Sequence, residues 1–481
     1  MPPPHVTRTS ESVQETLAQI VQLLQRHRIV ENLVHQQTTH RRELVESLVH
    51  KQHLAELQYK LDRLHAADIA YILEALPREE RLVVWDLVKA ERDGDILLEV
   101  SDAVRESLIA DMDSDELLAA AEQLDADEIA DLADDLPPEV MQELLLSLNS
   151  EDRAQLQSAL SYPDDQVGHL MDFDMVLIRE DVTLEVVLRY LRRFDELPDQ
   201  ADKLFVVDRK EHLRGVLPVK RLLVSDPDVC VRDVMAKEIV AFHPEEDATQ
   251  AAQAFERYDL VSAPVIDAAG KLIGRITIEA VLDFIREETD ADVLSSAGLR
   301  EEEDLFAPVW KSIQNRWLWL GINLVTAFVA SRVIGGFEDT IEKLVALAAL
   351  MPIVAGIGGN SANQTTTLII RSLALGTLNQ ENVRAFLKKE FVISALNGLV
   401  WGTIVGFFAY LLYDHPKLGM VMAAAMFLEL MLAAFVGMFI PLLMDRLGRD
   451  PAVGSSVLLT ATTDSMGFFI FLGLAKVFLM Q

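Results

Sequence analysis

Cysteine is nearly absent. Cys230 is the only one in 481 residues, so no disulfide can form within the chain and nothing points to an oxidising compartment. The phosphate-cradling pattern GxxxxGK[ST] is missing, and with it the usual sign of nucleotide-driven work. The first 28 residues hold no uninterrupted apolar run, so no cleaved signal peptide is expected. No nucleophile–base constellation is visible, and an enzyme is not expected. Basic residues are heavily outnumbered by acids in one part of the chain only. Positions 1–310 hold 31 Lys+Arg against 66 Asp+Glu, a net of −35, whereas positions 311–481 hold 12 against 10, a net of +2. A block carrying −35 repels nucleic acid and anionic lipid and attracts cations, so nucleic acid is excluded as a partner.

The second part is dominated by apolar sequence. Five runs, near 317–334, 344–375, 391–413, 419–444 and 453–480, each approach the ~20 residues needed to cross a bilayer. Lys311, Arg316, Arg371, Arg384, Lys388, Lys389, Arg446 and Arg449 flank the side shared with the acidic block. Only Arg332, Lys343, Lys417 and Lys476 flank the other. The bias predicts a cytoplasmic N-terminus, an external C-terminus and a multi-pass protein of the cell (inner) membrane. The second run reads Leu350-Met-Pro-Ile-Val-Ala-Gly-Ile-Gly-Gly-Asn-Ser-Ala-Asn-Gln-Thr-Thr-Thr367. Pro352 and the glycines predict an interrupted helix, and the amides and hydroxyls must face other helices or water rather than lipid. A helix-packing seam and an ion path both fit that pattern. Two acids lie deep in apolar sequence, Glu429 and Asp464. An intramembrane carboxylate costs at least about 2.5–3.5 kcal/mol at a helix centre, so each is a functional candidate. Asp464, in Thr460-Ala-Thr-Thr-Asp-Ser-Met-Gly467, has the wetter neighbours, whereas Glu429 also suits a protonated packing or dimer contact.

The soluble part reads as two architectures. Residues 1–60 form a helical extension whose histidines (His27, His35, His40, His50, His53) show no metal-ligand spacing. Residues 61–165 read as short amphipathic helices in a superhelix, with Ile69/Ile129 and Pro77/Pro137 recurring 60 apart. Between Asp86 and Asp165 stand 24 acidic and 4 basic residues, dense enough to suggest divalent-cation binding. From 166 the pattern becomes α/β and repeats. Leu170-Met-Asp-Phe-Asp, Phe205-Val-Val-Asp and Leu213-Arg-Gly-Val-Leu belong to copy one (166–230). Val234-Met-Ala-Lys-Glu, Ala263-Pro-Val-Ile-Asp and Leu272-Ile-Gly-Arg-Ile belong to copy two (231–289). These resemble a tandem pair of CBS domains.

An all-α superhelical N-domain, a CBS pair, a linking (plug) helix at 290–315 and a five-span membrane domain at 316–481 resemble, in that order, the MgtE family of magnesium channels. Gly358-Gly-Asn-Ser-Ala-Asn-Gln364, Leu368-Ile-Ile-Arg371, Asp450-Pro-Ala452 and Thr460-Ala-Thr-Thr-Asp464 carry the likeness best. The resemblance implies a homodimer conducting Mg²⁺ along its two-fold axis. It assigns Asp464, Asn363 and Thr367 to the pore, with Asn360 and Ser456 beside them. It implies regulatory Mg²⁺ at Asp127, Asp131, Asp247, Asp259, Glu288 and Asp292. Ala280 and Ala291 stand where the family can carry acids, so fewer regulatory sites are expected. Gly215-Val-Leu-Pro-Val-Lys-Arg221 lacks the Ser/Thr and Asp that hold a nucleotide, and Leu260 replaces a stacking aromatic, which argues against ATP regulation. The alternatives are an ion-coupled carrier of divalent cations and a membrane-anchored Mg²⁺ or nucleotide sensor.

Overall fold

A computed structural model describes residues 10–35, 54–194, 197–198, 200–297, 299, 304–374, 378, 382–447 and 455–480. The chain divides into two compact units, Met1–Glu287 with Glu303–Ala307, and Glu288–Glu302 with Pro308–Gln481.

The first unit opens with α1 (Ser10–His35), whose Ile20, Leu23 and Leu24 are buried in the same core as the helices that follow. Those are α2 (Ala66–Glu74), α3 (Arg78–Trp85), a 3₁₀ turn (Ala90–Arg92) running into α4 (Asp93–Glu99), α5 (Asp102–Ile109), α6 (Ser114–Ala121), α7 (Ala126–Leu132), α8 (Pro138–Ser147) and α9 (Ser150–Ala159). Helical turns begin at 66, 78, 90, 102, 114, 126, 138 and 150, every twelfth residue. The preceding cap therefore also recurs every twelfth residue, as His65, Pro77, Lys89, Ser101, Asp113, Asp125, Pro137 and Asn149. Helix starts leave N–H groups without partners, and short polar side chains or proline suit that position. Asp113 accepts from the Glu116 amide, and the Glu128 carboxylate reaches back to the Asp125 amide. The 60-residue spacing read from the sequence is five such steps. Part of the acidity is thus spent on capping.

Arginine closes the other end of these turns. Arg81 donates to the carbonyls of Leu73 (2.8 Å) and Leu76 (3.1 Å), and Arg105 to those of Leu97 (2.8 Å) and Val100 (3.3 Å). Arg153 does the same to Leu146 and Leu148. Each is the fourth residue of its helix and satisfies carbonyls that the preceding helix leaves open.

The CBS pair comprises β1 (Leu177–Arg179), α10 (Leu184–Leu191), β2 (Lys203–Val207), β3 (Leu213–Pro218), α11 (Val219–Val224), α12 (Val231–Val234), α13 (Ala248–Tyr258), β4 (Ser262–Ile266) and β5 (Leu272–Thr277). β1 pairs parallel with β2, β2 antiparallel with β3, and β4 antiparallel with β5. The copies exchange their leading segments. Asp172, in the leading segment of copy one, bonds through its backbone to Arg275 of β5, while Ala236, in that of copy two, bonds to Val216 of β3. Val231 and Met235 fill the first copy's core beside Val176, Ile178 and Leu204. α14 (Ile278–Ala297) follows.

The second unit contains five long helices: α15 (Val309–Gly335), then, after the short α16 (Glu338–Lys343), α17 (Ala346–Ala374), α18 (Val383–Tyr413), α19 (Pro416–Arg446) and α20 (Ser455–Leu479). Four of them are long and apolar enough to cross a membrane on length and composition alone. The remaining one, α17, is 29 residues long but carries the polar run. The interruption expected there does not occur: α17 is continuous, with Pro352 inside it. Proline forfeits one backbone hydrogen bond, and it stands in the second turn, where few earlier carbonyls exist to be lost. α19 is the hub, packing against α17, α18 and α20. Its approach to α18 runs over Gly398, Gly402 and Gly406, four residues apart. A Cβ at Gly402 would meet the Ala423 carbonyl at 2.8 Å, so only glycine allows that backbone contact.

Candidate ion path and regulatory acids

The polar run of α17 splits by helical phase. Thr365 and Thr366 point inward and are satisfied: the Thr366 hydroxyl donates to the Gly437 carbonyl (3.0 Å) and that of Thr365 to the Glu390 carboxylate (3.4 Å). Asn360, Asn363 and Thr367, spaced i, i+3 and i+7, form an exposed stripe on one face of α17. The Thr367 hydroxyl donates back to the Asn363 carbonyl (2.9 Å), which leaves its oxygen lone pairs outward. α17 packs against α20, which carries Asp464 half-buried next to Thr463. Thr463 is fully buried and spends its hydroxyl on the Leu459 and Thr460 carbonyls, 3.0 and 3.2 Å away. The helix is thereby held while the neighbouring carboxylate stays reachable. Ser456 lies on α20, but its side chain is outside the described residues, as are 448–454.

Glu429 sits differently. It is fully buried on α19, and neither carboxyl oxygen has a hydrogen-bond partner among the described residues. Its carboxyl fills a notch between Gly358 of α17 and Gly467 of α20. A Cβ at Gly358 would collide with it, and one at Gly467 would approach it to 3.0 Å. The acid thus bridges the two helices that carry the polar stripe and Asp464. Glu390, near the start of α18, is a further buried acid of this unit that sequence reasoning passed over. Its place in Lys388-Lys389-Glu390 looked interfacial, and only packing shows it facing Thr365.

In the soluble unit the expected regulatory acids separate into two situations. Asp127 is drawn against Asp172 of the CBS pair. Burial, followed by the Asp172 charge, pushes its carboxyl up to about 7. Asp131, one turn on, is surrounded by protein and faces Glu287 and Asp283 of α14, with Arg105 opposing. Crowding and those charges raise it as well, although its side chain stays open to water, which screens the effect. Asp172, Asp283 and Glu287, all pushed upward chiefly by burial, were not identified from sequence. Their signal was available only as chain-distant acids that folding brings together.

Asp247 and Asp259 do not come together. They are the N-cap and C-cap of α13, about 18 Å apart at the ~1.5 Å rise of a helix. Asp247 accepts from the Gln250 amide, and Asp259 adopts φ 50°, a left-handed cap that aspartate tolerates. A single ion cannot bridge them. Glu288 lies exposed on α14, and the Asp292 side chain is outside the described residues. Among the described residues no three acidic, histidine or cysteine side chains gather closely enough to hold a metal by themselves.

A family model described as a divalent cation transporter, MgtE, matches residues 351–474. The MgtE intracellular N domain matches 64–165, and a CBS domain matches 231–287. The magnesium transporter MgtE of Thermus thermophilus is 32% identical over 438 residues, covering 88% of this chain and 95% of that protein. The magnesium transporter MgtE of Bacillus subtilis is 25% identical over 419 residues, covering 87% and 93%. Among solved structures, the cytosolic domain of the Mg²⁺ channel MgtE in complex with ATP is 29% identical, with a TM-score of 0.45, covering 50% of this chain and 97% of that one.

Proposed function

Because the chain belongs to the MgtE family and is a multi-pass membrane protein of magnesium transport, we propose that it is a homodimeric Mg²⁺ channel closed by cytoplasmic Mg²⁺. The observation that carries the reading is the exposed stripe Asn360, Asn363 and Thr367 on a membrane helix packed beside the one bearing Asp464. Amides and hydroxyls cannot face lipid without several kcal/mol of cost, so the stripe lines water or a second copy, and a pore on a two-fold axis supplies both. Two Asp464 carboxylates then offer −2 to a +2 ion. Mg²⁺ dehydrates reluctantly, so amide and hydroxyl oxygens recognise it through its waters. No GxxxxGK[ST] motif is present to couple transport to nucleotide hydrolysis, and conduction on this reading is passive.

Closure follows from the crowded acids. With little Mg²⁺, the carboxylates around Asp127 and Asp131 repel, and states that separate them are favoured. Bound Mg²⁺ offsets the repulsion and favours the assembled state by its higher affinity for it. Glu288, Asp292, Asp247 and Asp259 would contribute from other faces. The N-terminus is cytoplasmic and the C-terminus external in the inner membrane, as the flanking charges require. Single-channel recording of the purified protein while internal Mg²⁺ is titrated tests conduction and closure together. Absence of Mg²⁺ currents defeats the channel, and currents indifferent to internal Mg²⁺ defeat the gate.

The buried carboxyl of Glu429 favours one rival, a carrier that couples Mg²⁺ to a second cation. Mg²⁺ uptake that persists with the proton and sodium gradients collapsed and the voltage clamped rules the carrier out.

A further inference from the structure

The three arginines that close the superhelical turns differ in what they do with their remaining N–H groups. Arg105 turns to acids of the superhelix itself, Asp102 (3.1 Å) and Asp135 (3.3 Å). Arg81 reaches outside it. Its guanidinium forks onto both oxygens of Asp304, at 2.7 and 3.0 Å, across 223 positions of sequence. The side chain of Arg81 is wholly buried and that of Asp304 is 9% exposed. A bidentate arginine–carboxylate pair is directional as well as strong, and a desolvated one is costly to break from one side.

Asp304 opens a hydrogen-bonded turn. Its carboxylate also accepts from the Phe306 amide (3.0 Å), and its carbonyl accepts from Ala307 (2.9 Å), which makes a turn of 304–307. Pro308 comes next as the N-cap of α15, the first membrane helix. Only a hydrogen-bonded turn and a proline, with its fixed φ, separate the arginine's grip from the start of that helix. The four positions before Pro308 pack as part of the soluble unit.

We propose that Arg81 straps the segment leading into the first membrane helix to the N-domain, so that displacement of the N-domain pulls on α15 by a contact separate from α14. The strap rests on the gated-channel reading for its use, but its existence is testable alone. Hydrogen exchange on the full chain at the Phe306 and Ala307 amides reads it directly. Arg81→Lys removes the fork and leaves the turn's own acceptor, Asp304, in place. Exchange at both amides should rise at least tenfold. Asp304→Asn keeps Arg81 folded onto its carbonyls and should give the same rise. Asp135→Asn, which removes an acid partner from the sister arginine, should leave these amides unchanged. Unchanged exchange in Arg81→Lys and Asp304→Asn, or an equal rise in Asp135→Asn, overturns the strap. In recordings, the internal Mg²⁺ concentration that half-closes the channel should shift several-fold in the two strap variants and not in Asp135→Asn. Altered exchange with an unshifted Mg²⁺ response overturns the coupling.

Discussion

The soluble unit and the membrane unit use acidic residues in opposite ways. Positions 1–310 carry 66 acids, many of them capping helices or lying on solvated faces, and their effect is collective. Positions 311–481 carry ten, of which Glu390, Glu429 and Asp464 lie within long apolar helices, each in a distinct setting. In water, a carboxylate is inexpensive, and function comes from crowding several until they repel. In a membrane, each one is expensive, and function comes from position. Removing one acid from the soluble unit should therefore tune behaviour, whereas removing one from the membrane unit should abolish or reshape it.

The largest expected effect lies in the membrane. Asp464→Ala should lower Mg²⁺ flux at least about thirtyfold, the factor that corresponds to ~2 kcal/mol of lost attraction for the ion. Flux close to that of the unmodified protein, measured with a fluorescent Mg²⁺ indicator in liposomes, would remove Asp464 from the pore. Next comes the notch around Glu429. Gly358→Ala forces a Cβ into the buried carboxyl and should destabilise the membrane unit by about 1–3 kcal/mol. At Gly359 the nearest atom to a Cβ is Thr463 Oγ1 at 3.9 Å, so Gly359→Ala should be nearly silent. Thermal unfolding in detergent distinguishes the two, and equal losses would mean the notch is not the cause.

The soluble unit should respond more gradually. Asp127 titrates near 7 when folded and near 3.8 when unfolded, so the folded state binds the extra proton between those values. Its contribution to stability is fully present below about pH 4 and is lost as pH rises through about 7. Without Mg²⁺ the soluble unit should therefore be less resistant to protease at pH 8 than at pH 6. Added Mg²⁺ should restore more resistance at pH 8, where it need not displace protons. Neutralising Asp127 and Asp131 together should flatten both dependences, and a double variant that keeps the full response to Mg²⁺ would move the regulatory site elsewhere. The smallest effect is expected at a cap. Asp113→Ala should cost ~1 kcal/mol of N-domain stability in chemical denaturation without changing Mg²⁺ protection.

Much of the architecture was legible because it is written in local periodicity. Apolar runs located all five long helices within a few residues of most of their ends, and the change from short helices to β-branched segments marked the CBS pair. The N-domain repeat was seen only as a 60-residue recurrence, because its twelve-residue unit keeps apolar class at a few positions, such as Leu76, Val88, Val100 and Met112, but not residue identity. His65, Asp113, Pro137 and Asn149 share a backbone role rather than a residue type. The helical continuity of α17 was missed for a related reason: proline and glycine lower helix propensity, but packing against α19 overrides it.

Composition and spacing by themselves determined that one part of this chain is acidic and water-facing, that the other spans a membrane, and that Asp464 and Glu429 are costly where they stand. Those conclusions follow from transfer free energies, which depend on residue type and immediate neighbours. Tertiary structure alone decided which acids meet. It placed Asp127 against Asp172, kept Asp247 and Asp259 apart, seated Glu429 in a glycine notch and gave Arg81 to Asp304. Coulomb and hydrogen-bond energies depend on distance through space, and a linear sequence does not contain that distance.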